Sequence, residues 1–188
     1  MDTGVFSSLA ALADPVLGRG CGAAVAIILL TAAWQKLTGL GVFRATVELY
    51  ELLPAALVPA FALLYPLAEV GGAAVLLGWA DGPALALPLA VLALATGGIA
   101  LNVLRGRTDL ECGCGGDRHP RLSWALVARN GLLMGAVLIA GLQENTRDLV
   151  WIDYLSVAAL TLALSGLYAA ANQLLANQPH FAHSGSQA

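Results

Sequence analysis

Cys112 and Cys114 stand one glycine apart in the stretch RGRTDLECGCGGDRHPRLSW, with two more glycines directly after them. A disulfide across a single residue closes a small ring, and Gly113, Gly115 and Gly116 supply the backbone freedom that such a closure requires. Strained, accessible disulfides are the labile ones, suited to exchange and not to stapling. Arg105, Arg107, Arg118 and Arg121 flank the pair and favour thiolate, the form that attacks a disulfide, while Asp109, Glu111 and Asp117 oppose them. The expected chemistry is a redox-competent pair. Two other readings stay open: inert cysteines in a glycine-rich turn, and a metal site, for which Cys112, Cys114 and His119 give three ligands where a structural zinc takes four. Cys21 lies an odd number of crossings away, with roughly 30 Å of hydrocarbon between, and reads as a small packing residue.

A second group of residues is defined by depth. Glu69 falls in the middle of one apolar span and Arg129, followed by Asn130, about eight residues into another. Counted from the cysteine-loop side at about 1.5 Å per residue, Arg129 lies about 12 Å deep and Glu69 roughly 13–20 Å deep. They are expected to pair, with Asn130 or Asn102 within reach, because ionisable groups inside a membrane are usually partnered. A structural ion pair that fixes helix order and a proton or substrate site are both open. Lys36, at the loop-side end of the first span, reads as an interface anchor.

The spans that must hold these residues follow from composition. Of 188 residues 59% are hydrophobic and 11% charged, and the mean hydropathy is +0.77. Soluble domains carry about a quarter of their residues as charges, so the surplus apolar surface requires lipid. Nucleic-acid binding through a basic surface, intrinsic disorder and a secreted disulfide scaffold are excluded. No glycine-rich phosphate loop or Ser/His/Asp set is present, which leaves hydrolase and nucleotide-driven readings without residues. Crossing hydrocarbon takes about 20 residues, and five runs qualify: 17–37, 56–79, 83–104, 122–142 and 149–171. The expected fold is an all-α, polytopic membrane helix bundle, residues 1–188 forming a single integral membrane domain. Four helices make a compact core, and the fifth lies against it through Ser156, Ala158, Ala159, Ser165 and Gly166. Pro59, Pro66 and Pro88 are expected to kink helices. Residues 41–53 place Phe43, Val47, Tyr50 and Leu53 at helical spacing, the pattern of a short amphipathic interfacial helix, with a plain connecting loop as the alternative. Residues 172–188 read as a disordered tail.

Taken in order, several strings resemble the methylamine utilisation protein MauE family, and more distantly DoxX-like membrane proteins. They are TAAWQKL with Lys36, then Phe43 and the Tyr50, Leu53, Pro54 stretch. Glu69 in PLAEVGGAAVLLG, the acidic-CGC-G loop from Glu111 to Gly115, and Arg129 with Asn130 in LVARNGLL complete the set. Gly115 stands where the family typically shows phenylalanine. The resemblance implies a role in maturation of methylamine dehydrogenase, whose small (β) subunit carries several disulfides and a tryptophan tryptophylquinone cofactor. It also implies a thioredoxin-like, MauD-type partner. On this reading Cys112 and Cys114 exchange disulfides, with Arg118, Arg121, Glu69, Arg129, Asn130 and Lys36 in support. The competing class is a non-catalytic scaffold or transporter for the maturation machinery, in which Glu69 and Arg129 matter and the cysteines do not. No cofactor is evident; a quinone electron acceptor is suggested only by analogy with other helical-bundle thiol oxidases.

The expected location is the cell inner membrane, in multi-pass form. Lys36, Arg44, Arg105, Arg107, Arg118 and Arg121 lie on the cysteine-loop side, against Arg19 and Arg147 opposite. Taken literally, the positive-inside rule makes the loop cytoplasmic. Without the four loop arginines the comparison is two against two, and an exported client favours the outer face.

Overall fold

The computed structural model describes residues 14–78, 82–110, 121–142 and 149–184, with side chains described to Asn177. Helix α1 spans Pro15–Thr38, α2 Leu40–Tyr50, α3 Val58–Leu77, α4 Ala86–Leu104, α5 Trp124–Gly141 and α6 Trp151–Ser184, with a short 3-10 turn at Gly82–Leu85. Among the described residues, five stretches are long and apolar enough to cross a membrane: Pro15–Thr38, Val58–Leu77, Gly82–Leu104, Trp124–Gly141 and Trp151–Asn177. The protein is thus a multi-pass helical bundle, close to the spans predicted from sequence. Helix is the form lipid imposes, because each backbone amide must find its partner within the segment.

Local sequence sets the helix ends. The Asp14 side chain accepts from the Val16 amide at 2.9 Å and Pro15 occupies the first turn of α1, the preferred start for a helix. Gly39 alone separates α1 from α2, and Glu51 ends α2 in the left-handed region at φ 51°. Of the three prolines expected to kink helices, Pro59 and Pro88 fall in the first turns of α3 and α4, where amides lack intrahelical partners anyway. Pro66 alone sits in a helix interior.

Helix α1 is the centre of the packing, touching α3, α5, α6 and α2, while α3 packs on α4 and α4 on α5. Val25, Ala26 and Leu29 of α1 meet Ala62, Tyr65, Ala73 and Leu76 of α3, Val91 and Leu92 of α4 and Val137 of α5 in the main core. Gly72 lets α3 approach α4 closely: a Cβ there would lie 3.2 Å from Pro88 Cα. Small residues at helix contacts are the membrane solution to close backbone approach.

The fifth span packs on α1 as expected, though through a different face. Asp153 and Thr161 are buried, Val157, Leu164, Tyr168, Asn172 and Leu175 half-buried, whereas Ser156, Ala158, Ala159 and Gly166 are exposed, and of the expected set Ser165 alone is half-buried. The small residue at the contact belongs to α1: Gly20 receives Leu160, and Thr161 Oγ1 donates to the Gly20 carbonyl at 3.4 Å. Helix α6 also continues to Ser184, past residue 172 where the sequence predicts a disordered tail. Asn172 and Leu175 have partners in the bundle, Arg129 and the cluster around Leu126 respectively, which gives the extra turns something to pack against.

Candidate functional site

On α1, Val25, Leu29, Ala33 and Lys36 recur at helical spacing and are all buried, so the face that packs also carries the lysine inward. Lys36 is not the interface anchor expected. It is 6% exposed, and its Nζ donates to Glu69 Oε1 at 2.6 Å and to the Ala32 carbonyl at 3.5 Å. Nζ also lies 5.7 Å from the Phe43 ring centroid and 5.4 Å from that of Tyr65, within cation–π range. Glu69, 3% exposed, is on α3 one turn beyond Tyr65. The Tyr65 hydroxyl donates to the Val91 carbonyl at 3.1 Å, and its ring stacks on Phe61 with centroids 5.3 Å apart.

The expected Glu69–Arg129 ion pair does not form. The partner of Glu69 is Lys36, and Arg129 turns to α6. Its Nη1 donates to Asn172 Oδ1, its Nη2 to Asn130 Oδ1 at 3.2 Å, and its Cζ lies 5.2 Å from the Tyr168 ring centroid. Asn130 is therefore within reach of Arg129 as expected, and Asn102 is engaged elsewhere, donating to the Gly98 carbonyl at 3.0 Å. Depth counting failed because it treated every span as starting at one level. Helix α1 stops at Thr38 and α2 folds back beside α3, so Lys36 meets a residue eleven positions, roughly 16 Å, into α3. The sequence reading missed Tyr65, Tyr168 and Asn172. Asn172 stands one turn from Tyr168, which is one turn from Leu164, a spacing that would have marked the inward face of the last span.

Lys36, Glu69, Arg129, Asn130 and their aromatic neighbours line one cavity of about 350 Å³ between α1, α2, α3, α4, α5 and α6. Its wall is aliphatic and aromatic except for Lys36, Glu69, Arg129, Asn130, Thr46 and the two tyrosines Tyr65 and Tyr168, with Tyr50 at the α2 end. Burial holds the Tyr50 phenol above its usual range, so it stays neutral. Glu69 Oε2 and Arg129 Nε are buried with no hydrogen-bond partner among the described residues. Such groups carry a desolvation cost unless something satisfies them.

Cys112, Cys114 and Arg118 lie outside the described residues, as do Glu111 and His119. The structure does describe both stems of their loop. The Leu122 amide donates to the Leu110 carbonyl at 3.0 Å, and both leucines pack with Ile99, Val103, Leu126 and Tyr50. The chain thus leaves and re-enters the bundle at one point. Arg121 is exposed, 3.9 Å from Asp109 across that point. Arg107 donates to Glu51 at 2.9 Å and ties α2 to the same end; this contact and its hydrogen bond hold the Glu51 carboxyl below the usual carboxylate range. Cys21 is a buried free thiol in α1.

A family model described as methylamine utilisation protein MauE matches residues 14–143, which takes in α1 to α5 with Lys36, Glu69, Arg129 and Asn130, and leaves out α6. The chain is 41% identical over 132 residues to the methylamine utilization protein MauE of Paracoccus versutus, covering 68% of this chain and 69% of that one. It is 34% identical over 160 residues to the protein of the same name in Paracoccus denitrificans, with 80% and 78% covered. With that of Methylophilus methylotrophus it shares 35% identity over 161 residues, with 82% and 74% covered. No solved structure matches.

Proposed function

Because the chain belongs to the methylamine utilisation protein MauE family, and so is a membrane accessory protein of methylamine utilisation, we propose that it serves maturation of the methylamine dehydrogenase small (β) subunit by thiol–disulfide exchange, from the cell inner membrane. Cys112 and Cys114 are the exchanging pair and a thioredoxin-like, MauD-type protein is the partner. A client thiolate attacks one sulfur of the Cys112–Cys114 disulfide, forming a mixed disulfide and releasing the other cysteine as thiolate. The client's second thiolate resolves the mixed species. The client leaves oxidised by two electrons and the pair is left as a dithiol. Attack of that dithiol on the partner's disulfide restores the starting state and reduces the partner.

The observation that carries this reading is the clasp at Leu110 and Leu122. It fixes both stems of a cysteine- and glycine-bearing loop to the packed end of the bundle. A water-borne partner then meets a loop whose two stems are joined at its base. Replacement of the resolving cysteine normally traps a mixed disulfide. Cys112→Ser or Cys114→Ser, whichever keeps the attacking sulfur, should accumulate a reductant-sensitive covalent complex on non-reducing gels. If neither variant traps a partner and alkylation shifts find both thiols permanently reduced in native membranes, the exchange reading falls. The scaffold or transporter reading draws on the charged cavity instead. It requires that the Cys112→Ser, Cys114→Ser double variant fully support dehydrogenase maturation.

A further inference from the structure

The cavity wall carries one more positive charge than it can neutralise. Lys36 and Glu69 cancel at 2.6 Å. The Arg129 guanidinium, 8% exposed, is held by two amide oxygens and a ring face, all of them neutral. A charge kept inside a membrane protein is ordinarily paired. Among the described residues no carboxylate forms an ion pair with Arg129, and its Nε is buried without a partner. The rest of the wall is mostly apolar, and two of its residues, Leu94 and Leu101, are themselves 60% and 48% exposed. The cavity therefore runs from the arginine to the lipid-facing side of α4. Its volume of about 350 Å³ is at the low end of small-molecule sites, roughly 300–1,000 Å³, which admits one chain or ring system.

We propose that this cavity binds a single-chain amphiphile with an acidic head group. The head lies against the Arg129 guanidinium, and the tail runs out between Leu94 and Leu101 into lipid. The inference stands on the cavity and makes no use of the cysteines, so either can fail without the other.

The test uses purified full-length protein in a neutral detergent and cis-parinaric acid, whose fluorescence rises in a confined apolar site. Its methyl ester presents the same chain without the charge. The acid should bind at least tenfold more tightly than the ester, and Arg129→Gln should abolish that preference while Arg129→Lys keeps part of it. Ala95→Phe, which fills the apolar wall, should weaken acid and ester alike. Circular dichroism establishes that each variant is folded, and the wild-type comparison of acid with ester stands without any variant. Laurate and lauryl phosphate as competitors separate a carboxylate from a phosphate head, and displacement by either supports the site. Equal affinity for acid and ester overturns the proposal, as does displacement of the acid by neutral decylubiquinone as effectively as by laurate.

Discussion

The pairing of Lys36 with Glu69, in place of Arg129 with Glu69, has energetic consequences that can be measured. At 2.6 Å and an effective dielectric of about 20, the gross attraction is about 6 kcal/mol, most of it offset by the desolvation of two ions whose side chains are 7% and 4% exposed. Removing one partner loses the attraction and keeps the other ion's desolvation, a change that typically costs about 3–5 kcal/mol. Glu69 is poorly placed to bear it, because Oε2 already lacks a partner. Lys36→Met should therefore cost about 3 kcal/mol or more, and Glu69→Leu a similar amount. The double variant, which leaves no charge stranded between these positions, should return to within about 1 kcal/mol of the parent or exceed it. The coupling energy should then be at least about 5 kcal/mol, well above the average of about 0.6 kcal/mol for interhelical hydrogen bonds in membranes. Reversible unfolding in mixed micelles, followed by tryptophan fluorescence, reads all four corners of the cycle. The same cycle on Arg129→Leu and Glu69→Leu should give the smaller coupling. If Lys36 and Glu69 prove additive within about 0.5 kcal/mol, or if Arg129 couples to Glu69 more strongly than Lys36 does, the assignment of this pair is wrong.

Two further outcomes follow from contacts outside the cavity. A side chain at Gly20 would place Cβ 2.5 Å from Leu160 Cδ2, so Gly20→Leu should push α6 off α1 at a cost of about 1–3 kcal/mol. Gly166→Ala, with nothing within 4 Å, should be neutral or stabilising by up to about 1 kcal/mol; the same unfolding assay compares them, and equal losses would refute the α1–α6 contact. The Glu51 carboxyl is held below its usual range by the Arg107 hydrogen bond and charge. Its contribution is accordingly present above the unfolded value and lost as pH falls through the depressed folded one. Protection factors of α2 amides, corrected for the pH dependence of intrinsic exchange, should fall across that acid window in the wild type and not in Glu51→Gln, and added salt should shrink the difference between them.

How much of this was legible in the sequence depends on the range of the physics involved. Solvation is local: a run of about 20 apolar residues has no stable place but lipid and no backbone form there but helix. The five spans, the amphipathic α2 and the family strings could therefore be read without coordinates. Helical period is local too, and it put Lys36 on the same face as Val25, Leu29 and Ala33. Pairing between helices is not local. Whether Glu69 meets Lys36 or Arg129 depends on where each helix begins relative to its neighbours, and the fold of α2 beside α3 sets that offset. Composition misled at α6 for a related reason. Its exposed Ser156, Ala158, Ala159 and Gly166 look like a packing face, but the contact was decided by the complementary space at Gly20 on another helix. Asn172 likewise reads as the start of a polar tail until Arg129, 43 residues earlier, supplies a donor. The chain by itself determined which segments enter the membrane and which residue types they carry; tertiary packing alone decided their partners, because shape and depth complementarity between helices belong to neither sequence separately.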